Sequence, residues 1–168
     1  MTLNFRQFNL LGFLGIQFAL CFAMYLQYFK GYEPCPFCIF QRVAMIAVGF
    51  VFLAAFIHGP KAWGQWVYAF GVSMFSLVGA GVAARHVWLQ SLPPDQVPAC
   101  GPTLDYLMDM MPMGEVVQTV LRGDGNCAKI DAQWLGISLP GWVLVSFFGF
   151  VVYAVLTPIL PKFLRKTA

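Results

Sequence analysis

The chain alternates between long apolar stretches and short polar segments. Four stretches lack Asp, Glu, Lys and Arg, and these are residues 7–29, 43–60, 62–84 and 132–161. A helix needs about 20 mainly apolar residues to cross a hydrocarbon core of roughly 30 Å. The pattern therefore predicts four membrane-spanning helices. We place these spans near residues 10–28, 40–57, 66–84 and 140–160.

Two other interpretations of the apolar stretches are disfavoured. The helices of a soluble bundle would show polar faces at a period of about 3.6 residues, whereas these stretches are apolar nearly all round. The first stretch follows Arg6, as a secretory signal would. However, it is longer than the roughly 7–15 apolar residues of such a signal, and Leu20-Cys21-Phe22 offers no small-residue cleavage site. We therefore interpret it as a retained first span.

The amino-acid composition also indicates a membrane protein. Of the 168 residues, 60% are hydrophobic and 10% are charged, whereas a soluble domain has about 25% charged residues. The length allows one integral membrane domain over residues 1–168, and we expect an all-α bundle of four spans. Because the net charge is only +3, we expect membrane lipid rather than nucleic acid as a partner.

The distribution of charge predicts the orientation. Four spans place both termini and the second loop on one side of the membrane. Five basic residues lie on that side, namely Arg6, Lys61, Lys162, Arg165 and Lys166. The other side also carries five basic residues, together with all 7 acidic ones. Since basic residues near span ends are retained in the cytoplasm, Arg6 and the C-terminal cluster predict cytoplasmic termini. The loops near residues 29–39 and 85–139 are then exported.

A Cys-x-x-Cys motif, Cys35-Pro36-Phe37-Cys38, comes immediately before the second span. The partial positive charge at a helix N-terminus stabilises a thiolate and lowers its pKa, so the motif suits reversible thiol–disulfide exchange. A permanent disulfide and a metal site are the alternatives. Haem attachment requires His after the second cysteine, where this chain has Ile39. A structural zinc site requires four ligands, and the other cysteine pair lies in a distant loop.

That other pair, Cys100 and Cys127, lies in the long second exported loop. Joining the two would close a long loop and stabilise the fold by about 3–4 kcal/mol in the chain-entropy model. A purely structural disulfide is thus one interpretation, and contact with a partner protein is the other. The Cys-x-x-Cys motif favours the second. Disulfides persist on the exported, oxidising side, whereas Cys21 falls within a span, where a cysteine behaves as a small hydrophobe.

Two polar side chains near the motif are candidates for binding a quinone. Arg42 follows Cys38 by one helical turn and shares its face. It is suited either to holding a thiolate or polarising a quinone carbonyl, or to reaching lipid headgroups. His86 lies at the exported end of the third span. It is suited to donating a hydrogen bond to a quinone oxygen or relaying a proton, or to a structural role.

The second exported loop also contains a methionine-rich segment, Leu104 to Leu121, interrupted by Pro112 and Gly114. We expect one or two short helices here. They would either lie on the membrane surface or pack on the ends of the spans. Methionine-rich surfaces also suit adaptable protein contacts, and the sequence leaves these alternatives open.

Taken in order, these motifs resemble the disulfide-bond formation protein B (DsbB) family, bacterial inner-membrane thiol oxidases that depend on quinone. The resemblance covers nearly the whole chain. It rests on Cys-x-x-Cys with Ile39-Phe40-Gln41-Arg42, Ala84-Arg85-His86 with Leu89-Gln90, Cys100 and Cys127, and Gln133-Trp134-Leu135-Gly136. One departure is Gln41, where some members are expected to carry an acidic residue.

The resemblance implies a multi-pass protein–dithiol:quinone oxidoreductase in the inner membrane. A periplasmic DsbA-like protein of the thioredoxin fold would attack the Cys100–Cys127 disulfide at Cys100. Cys127 would then attack Cys35, and Cys38 would leave as a thiolate against the quinone. Arg42 and His86 would hold that quinone, which is expected to be ubiquinone, with menaquinone as the alternative. Because the DsbA couple lies at about −120 mV, only an acceptor of higher potential keeps it oxidised.

Two competing functions remain open. Quinone-coupled thiol oxidases of the vitamin K epoxide reductase type also combine a Cys-x-x-Cys motif with loop cysteines. Their loop pair precedes the motif, however, whereas Cys35 and Cys38 come first here. A non-enzymatic scaffold stabilised by disulfides is the other possibility. A scaffold carrying Cys100→Ala would leave oxidation of a partner intact, whereas a relay would lose it.

Overall fold

The computed structural model describes residues 4–61, 63–130 and 132–160. Four of its helices are long and apolar enough to cross a membrane, which confirms the predicted all-α, four-span class. The described elements are α1 (Phe5–Lys30), α2 (Pro36–His58), α3 (Trp63–Gln90), α4 (Leu104–Met110), α5 (Met113–Arg122), α6 (Gly125–Ala128), β1 (Gln133–Trp134), β2 (Ile137–Ser138) and α7 (Leu139–Leu156).

The long helices differ in length from the predicted spans. The first three spans lie inside α1, α2 and α3, which extend beyond them at both ends. A charged side chain ends an apolar stretch without ending a helix, so α3 continues through Arg85 to Gln90. The last span, expected to reach residue 160, ends earlier at Leu156. Pro158 explains this end, because proline has no N–H to donate to the carbonyl oxygen one turn earlier in the helix. Lys162, Arg165 and Lys166, on which the orientation partly depends, lie outside the described residues, as does Asp131.

Local signals fix the turn that carries the cysteine motif. Helix α1 ends at Gly31, whose φ of 71° is the left-handed conformation that glycine adopts without strain. Helix α2 then begins with Pro36 in its first turn, a position where the missing N–H of proline costs nothing. The short connection therefore holds Cys35 and Cys38 at the mouth of α2.

The four long helices share one core. Its central cluster takes Ile16 from α1, Val48 and Phe52 from α2, Val72 from α3 and Ala154 from α7. By contrast, the outer faces carry large apolar side chains that are highly exposed, for example Phe18 (75%), Phe50 (66%) and Phe70 (71%). Apolar exposure on this scale marks a surface that faces lipid.

Helices α3 and α7 approach each other closely at a glycine. A Cβ atom at Gly79 would overlap the ring of Phe147 on α7, and Phe147 is fully buried. Small residues allow this kind of close helix contact inside a membrane, where dispersion forces between packed atoms replace the hydrophobic effect. The phenyl ring thus fits into the notch that Gly79 leaves.

The methionine-rich segment forms two helices, α4 and α5. Leu107, Val116 and Val120 are buried on their inner faces and pack against Phe40 near the start of α2. The segment therefore does pack on the ends of the spans. Its methionines point outward instead, as shown by Met110 and Met113, each 64% exposed.

A small β-hairpin, which the sequence analysis missed, leads into α7. Gln133 pairs with Ser138 and Trp134 with Ile137. The turn between them uses Leu135 at φ 53° and Gly136 at φ 77°, the positive values that a tight two-residue hairpin turn requires. Trp142 of α7 donates from Nε1 to the carbonyl oxygen of Trp134 at 3.0 Å, which fixes the hairpin to the helix.

Candidate active site

The cysteine motif lies where the first turn of α2 begins. Cys35 is the N-cap residue, and its carbonyl oxygen accepts a hydrogen bond from the Ile39 backbone N–H at 3.3 Å. This turn brings the Cys35 and Cys38 sulfur atoms to 3.3 Å from each other. A disulfide would join them at about 2.05 Å, so the pair is in its dithiol form and positioned to close.

Cys127 lies against Cys35, although the two residues are far apart in the sequence. Asp124 caps the short helix α6 and accepts from the Cys127 backbone N–H at 3.1 Å. The Cys127 side chain is only 1% exposed. It packs with Phe37 and Leu89, in a cluster that Cys35 also contacts, and its thiol hydrogen-bonds with that of Cys35. The two cysteine pairs of the sequence thus meet through these two sulfurs.

This contact changes the expected acidity at the motif. Hydrogen bonds with the Cys127 thiol first, then with the Cys38 thiol, and then burial raise the pKa of Cys35 above its ordinary value. The sequence analysis expected the helix N-terminus to lower the pKa in this motif. At Cys35 the expectation is wrong, because the surrounding thiols and apolar side chains outweigh the helix dipole. This raised pKa belongs to the dithiol form of the pair, because Cys35 carries no proton when it is joined to Cys38.

Cys100 is exposed, unlike Cys127. The Gly125 backbone N–H donates to the Ala99 carbonyl oxygen at 3.2 Å. A Cβ atom at Gly125 would lie 3.2 Å from the Cys100 sulfur. Only glycine leaves comfortable room for Cys100 at this point, and α6, which Gly125 begins, also holds Cys127. One cysteine of the loop pair is therefore open to a partner, while the other faces the motif.

A cavity of about 250 Å³ lies between α1, α2 and the start of α7, and its lining is largely apolar. Cys38, Gln41 and Arg42 reach it from α2. The Arg42 guanidinium donates to Gln27 Oε1 on α1 and to the Ala23 carbonyl oxygen at 3.4 Å. Glu33 also lines the cavity, from the connection between α1 and α2. A largely apolar cavity that holds a guanidinium next to a reactive sulfur suits a quinone ring, because the cation stabilises negative charge that develops on the ring oxygens. We call it the lipid-side cavity.

His86 is buried on the other side of the motif. Its ring lies 5.5 Å from that of Phe37, Nε2 is 3.6 Å from the Cys35 sulfur, and Nδ1 is 3.2 Å from Gln41 Nε2. His86 lines a smaller cavity of about 50 Å³ facing the loop, here called the loop-side cavity. Arg42 does not line that cavity and His86 does not line the lipid-side one, whereas Cys38 lines both. The two predicted quinone residues therefore flank Cys38 from different sides.

The ligand atoms of Cys35, Cys38 and His86 lie within 4.8 Å of one another, a spacing that a metal ion also accepts. A structural zinc site takes four ligands. The arrangement favours thiol exchange because Cys127, which is not part of this trio, contacts Cys35 directly.

Two glutamines complete the site and were not predicted as functional residues. Gln27 holds the guanidinium of Arg42, and Gln41 contacts His86. One signal was available, since a polar side chain within a span usually faces a partner or a cavity. Gln41 was noted only as a departure from the expected family pattern.

The chain is similar to a known protein family and to several named proteins. The family model described as "Disulfide bond formation protein DsbB" matches residues 5–157. A protein of Nitrosococcus oceani named "Disulfide bond formation protein B" is 48% identical over 147 residues, or 88% of this chain and 87% of the relative. Two proteins of the same name, from Hahella chejuensis and Acinetobacter baumannii, are 51% and 52% identical over 145 and 148 residues. They cover 86% and 88% of this chain, and the matches span 88% and 86% of those relatives.

Proposed function

The chain belongs to the DsbB family. On this premise we propose how electrons pass through Cys35, Cys38, Cys100 and Cys127. Members of this family are multi-pass inner-membrane oxidoreductases that re-oxidise DsbA and reduce a quinone. We propose that residues 1–168 form a single membrane domain for this purpose. The observation that carries the route is the contact between Cys127 and Cys35.

The first step takes place at the exposed end of the relay. A thiolate of the reduced DsbA-like partner attacks Cys100 in the oxidised Cys100–Cys127 pair. The loop disulfide breaks, a mixed disulfide joins the partner to Cys100, and Cys127 leaves as a thiolate. The exposure of Cys100 and the burial of Cys127 support this choice of target, because exchange requires access to the attacked sulfur.

The second step moves the electron pair to the membrane. The Cys127 thiolate attacks Cys35 in the oxidised Cys35–Cys38 pair, so a Cys35–Cys127 disulfide forms and Cys38 leaves as a thiolate. Cys38 lines the lipid-side cavity together with Arg42. The guanidinium then stabilises negative charge beside the sulfur and at the acceptor.

The remaining steps restore both disulfides. The second thiol of the partner attacks the mixed disulfide, so the partner leaves oxidised and Cys100 is released. Cys100 attacks Cys127, which re-forms the loop pair and releases Cys35. Cys35 and Cys38 then close their disulfide while two electrons and two protons pass to the quinone. The net reaction oxidises one dithiol and reduces one quinone.

Quinone supplies the two-electron sink, and the residues of the lipid-side cavity suit its apolar ring. We propose ubiquinone as the acceptor, with menaquinone as the alternative, and a periplasmic DsbA-like protein as the donor. Arg42 is proposed to orient the ring. The direct role of His86 at the quinone stays a prediction, since its Nε2 lies beside Cys35 in the loop-side cavity.

A trapping experiment tests the order of the relay. Purified protein with its Cys100–Cys127 pair oxidised is mixed with a reduced DsbA-like protein whose second motif cysteine is replaced by Ala. A mixed disulfide should accumulate at Cys100, identified by peptide mapping, because the partner has no second thiol to resolve it. Cys21→Ala is the matched control and should turn over normally with ubiquinone or menaquinone analogues. Trapping at Cys35 instead of Cys100 would overturn the proposed order. Full partner oxidation by Cys100→Ala would show that electrons do not enter at Cys100, and absence of partner oxidation by the wild type would favour the scaffold interpretation.

A further inference from the structure

Gln41 and His86 form a buried polar pair beside the cysteine motif. Gln41 is 4% exposed and His86 is 1% exposed. Both come from membrane-spanning helices, where a polar side chain without a partner is costly. The Gln41 amide nitrogen lies 3.2 Å from His86 Nδ1. Neither residue of this pair carries the electrons itself. Gln41 also lines the lipid-side cavity, and His86 adjoins Cys35.

The contact determines which ring nitrogen carries hydrogen. The Gln41 amide nitrogen is the atom that faces Nδ1, and a carboxamide nitrogen donates, which favours Nδ1 as the acceptor. The hydrogen of the neutral imidazole then lies on Nε2, which is 3.6 Å from the Cys35 sulfur. A sulfur atom accepts a hydrogen bond at this distance, and a thiolate accepts more strongly than a thiol.

We infer that Gln41 is a positioning residue that holds His86 as the Nε2–H tautomer, so that the ring donates to Cys35 whenever that sulfur leaves as a thiolate. Its place in the cycle rests on the proposed function. Cys35 is released when Cys100 attacks Cys127 in the Cys35–Cys127 disulfide. At that moment one S–S bond breaks, another forms, and the electron pair on Cys35 is stabilised by the imidazole hydrogen.

The surroundings of His86 agree with a neutral ring. The titratable groups that face it are Cys35 and Cys38 from α2 and Lys129 after α6, which lines the loop-side cavity. On its own helix, Arg85 instead stacks on Trp88 at 4.1 Å. None of the described residues lining the loop-side cavity is acidic. A carboxylate at position 41 would favour a doubly protonated ring, whereas the amide directs the tautomer without adding charge.

Nitrogen NMR of the histidine side chain tests the tautomer directly. In quinone-free protein, the wild type should show hydrogen on Nε2 and none on Nδ1 of His86. Gln41→Leu should give a mixture of tautomers. Gln41→Glu, once ionised at alkaline pH, should place hydrogen on Nδ1, because a carboxylate only accepts. Gln65→Leu is the matched control, since Gln65 donates to Pro60 at the far end of the bundle, and it should leave the His86 signals unchanged.

A chemical readout tests the effect on the sulfur. In a background where Cys21, Cys38, Cys100 and Cys127 are replaced by Ala, alkylation of Cys35 is measured against pH. His86→Ala removes the donor and should move the midpoint upward by roughly half a unit to one unit, the equivalent of one hydrogen bond. Gln41→Leu leaves a mixture of tautomers and should move it in the same direction by less, and adding Gln41→Leu to His86→Ala should have no further effect.

These measurements need neither partner nor quinone, so their outcome is separate from that of the relay. Wild-type protein with hydrogen on Nδ1 would overturn the inference, as would Gln41→Glu without hydrogen on Nδ1 at alkaline pH. An unchanged alkylation midpoint in Gln41→Leu would also overturn it. Failure of Cys100 trapping, with these results intact, would count against the proposed relay only.

Discussion

The two cavities on either side of Cys38 differ in size, charge and neighbours. The lipid-side cavity is about 250 Å³, mostly apolar, and carries the Arg42 guanidinium. The loop-side cavity is about 50 Å³ and is lined by His86, Asn126 and Lys129 among others. The difference suggests a division of labour, in which one side handles an apolar electron acceptor and the other handles exchange between sulfurs. Cys38 lines both cavities and connects the two tasks.

Removing the sulfur shared by the two cavities should have the largest effect. Cys38→Ala should abolish quinone-dependent oxidation of a reduced DsbA-like partner, because none of the described residues that line the lipid-side cavity then carries a thiol. The partner should still exchange once with Cys100. Both are measured with purified protein, by quinone reduction and by the redox state of the partner on gels. Turnover near the Cys21→Ala control would contradict the assigned route.

Arg42→Ala should affect the lipid side alone. We expect the kcat/KM for quinone to fall by roughly 10- to 100-fold, since a charge-assisted hydrogen bond contributes about 1.5–3 kcal/mol. The rate at which Cys100 is trapped by the partner should stay unchanged. Arg42→Lys should recover part of the loss, since it restores the charge but not the planar geometry. If Arg42→Ala slowed partner trapping as much as it lowered the kcat/KM for quinone, the two cavities would not act separately.

His86→Ala should affect the loop side alone. Release of Cys35 should slow by about tenfold, the equivalent of one hydrogen bond to a charged group, while the KM for quinone stays near that of wild type. Rapid-mixing kinetics of the thiol–disulfide exchanges give the release rate of Cys35, and steady-state kinetics with varied quinone give the KM. A KM that rises as it does for Arg42→Ala would instead support the predicted direct contact of His86 with quinone.

Gln27→Leu should affect the lipid-side cavity in the same way as Arg42→Ala, but less strongly. Gln27 orients Arg42 from α1 without being charged. Its loss should therefore raise the KM for quinone by about threefold to tenfold, as expected for one neutral hydrogen bond. In Arg42→Ala protein the same substitution should add nothing, and an additive effect would show that Gln27 acts independently of Arg42.

The smallest expected effect concerns stability against pH. Because the pKa of Cys35 in the folded dithiol form is raised above 9.0, the folded state holds this proton more tightly than the unfolded state. Its contribution to stability is therefore complete below about pH 9 and is lost as the pH rises beyond that value. Thermal unfolding of reduced protein at pH 7 and pH 10 should reveal the loss. Cys35→Ser should not show it, and neither should the oxidised form.

The sequence predicted the elements that depend on local chemistry. The apolar stretches located four helices, because nothing else satisfies the backbone in lipid. The position of the Cys-x-x-Cys motif immediately before the second span was also predicted, and α2 begins there at Pro36. Cys127 and Cys35 were linked only through a family resemblance, since no spacing rule brings distant loop residues together.

The acidity of Cys35 and the partners of Arg42 and His86 were not predictable from the sequence. These properties depend on which side chains from other helices surround a given atom. The β-hairpin was missed for a different reason. Its strands are two residues long, which is too short for an alternating pattern to be recognised.

The packing of Phe147 against Gly79 has a consequence for the turnover rate of the protein. If α7 moved along α3 by one turn, the Phe147 ring would lose its packing against Gly79. The two helices therefore form a rigid frame. Cys127 packs against Leu89 of α3, so it belongs to this frame, whereas Cys100 is exposed. The rate of electron delivery would then depend on movement of the segment around Cys100, and restricting that segment would slow turnover while leaving the frame intact.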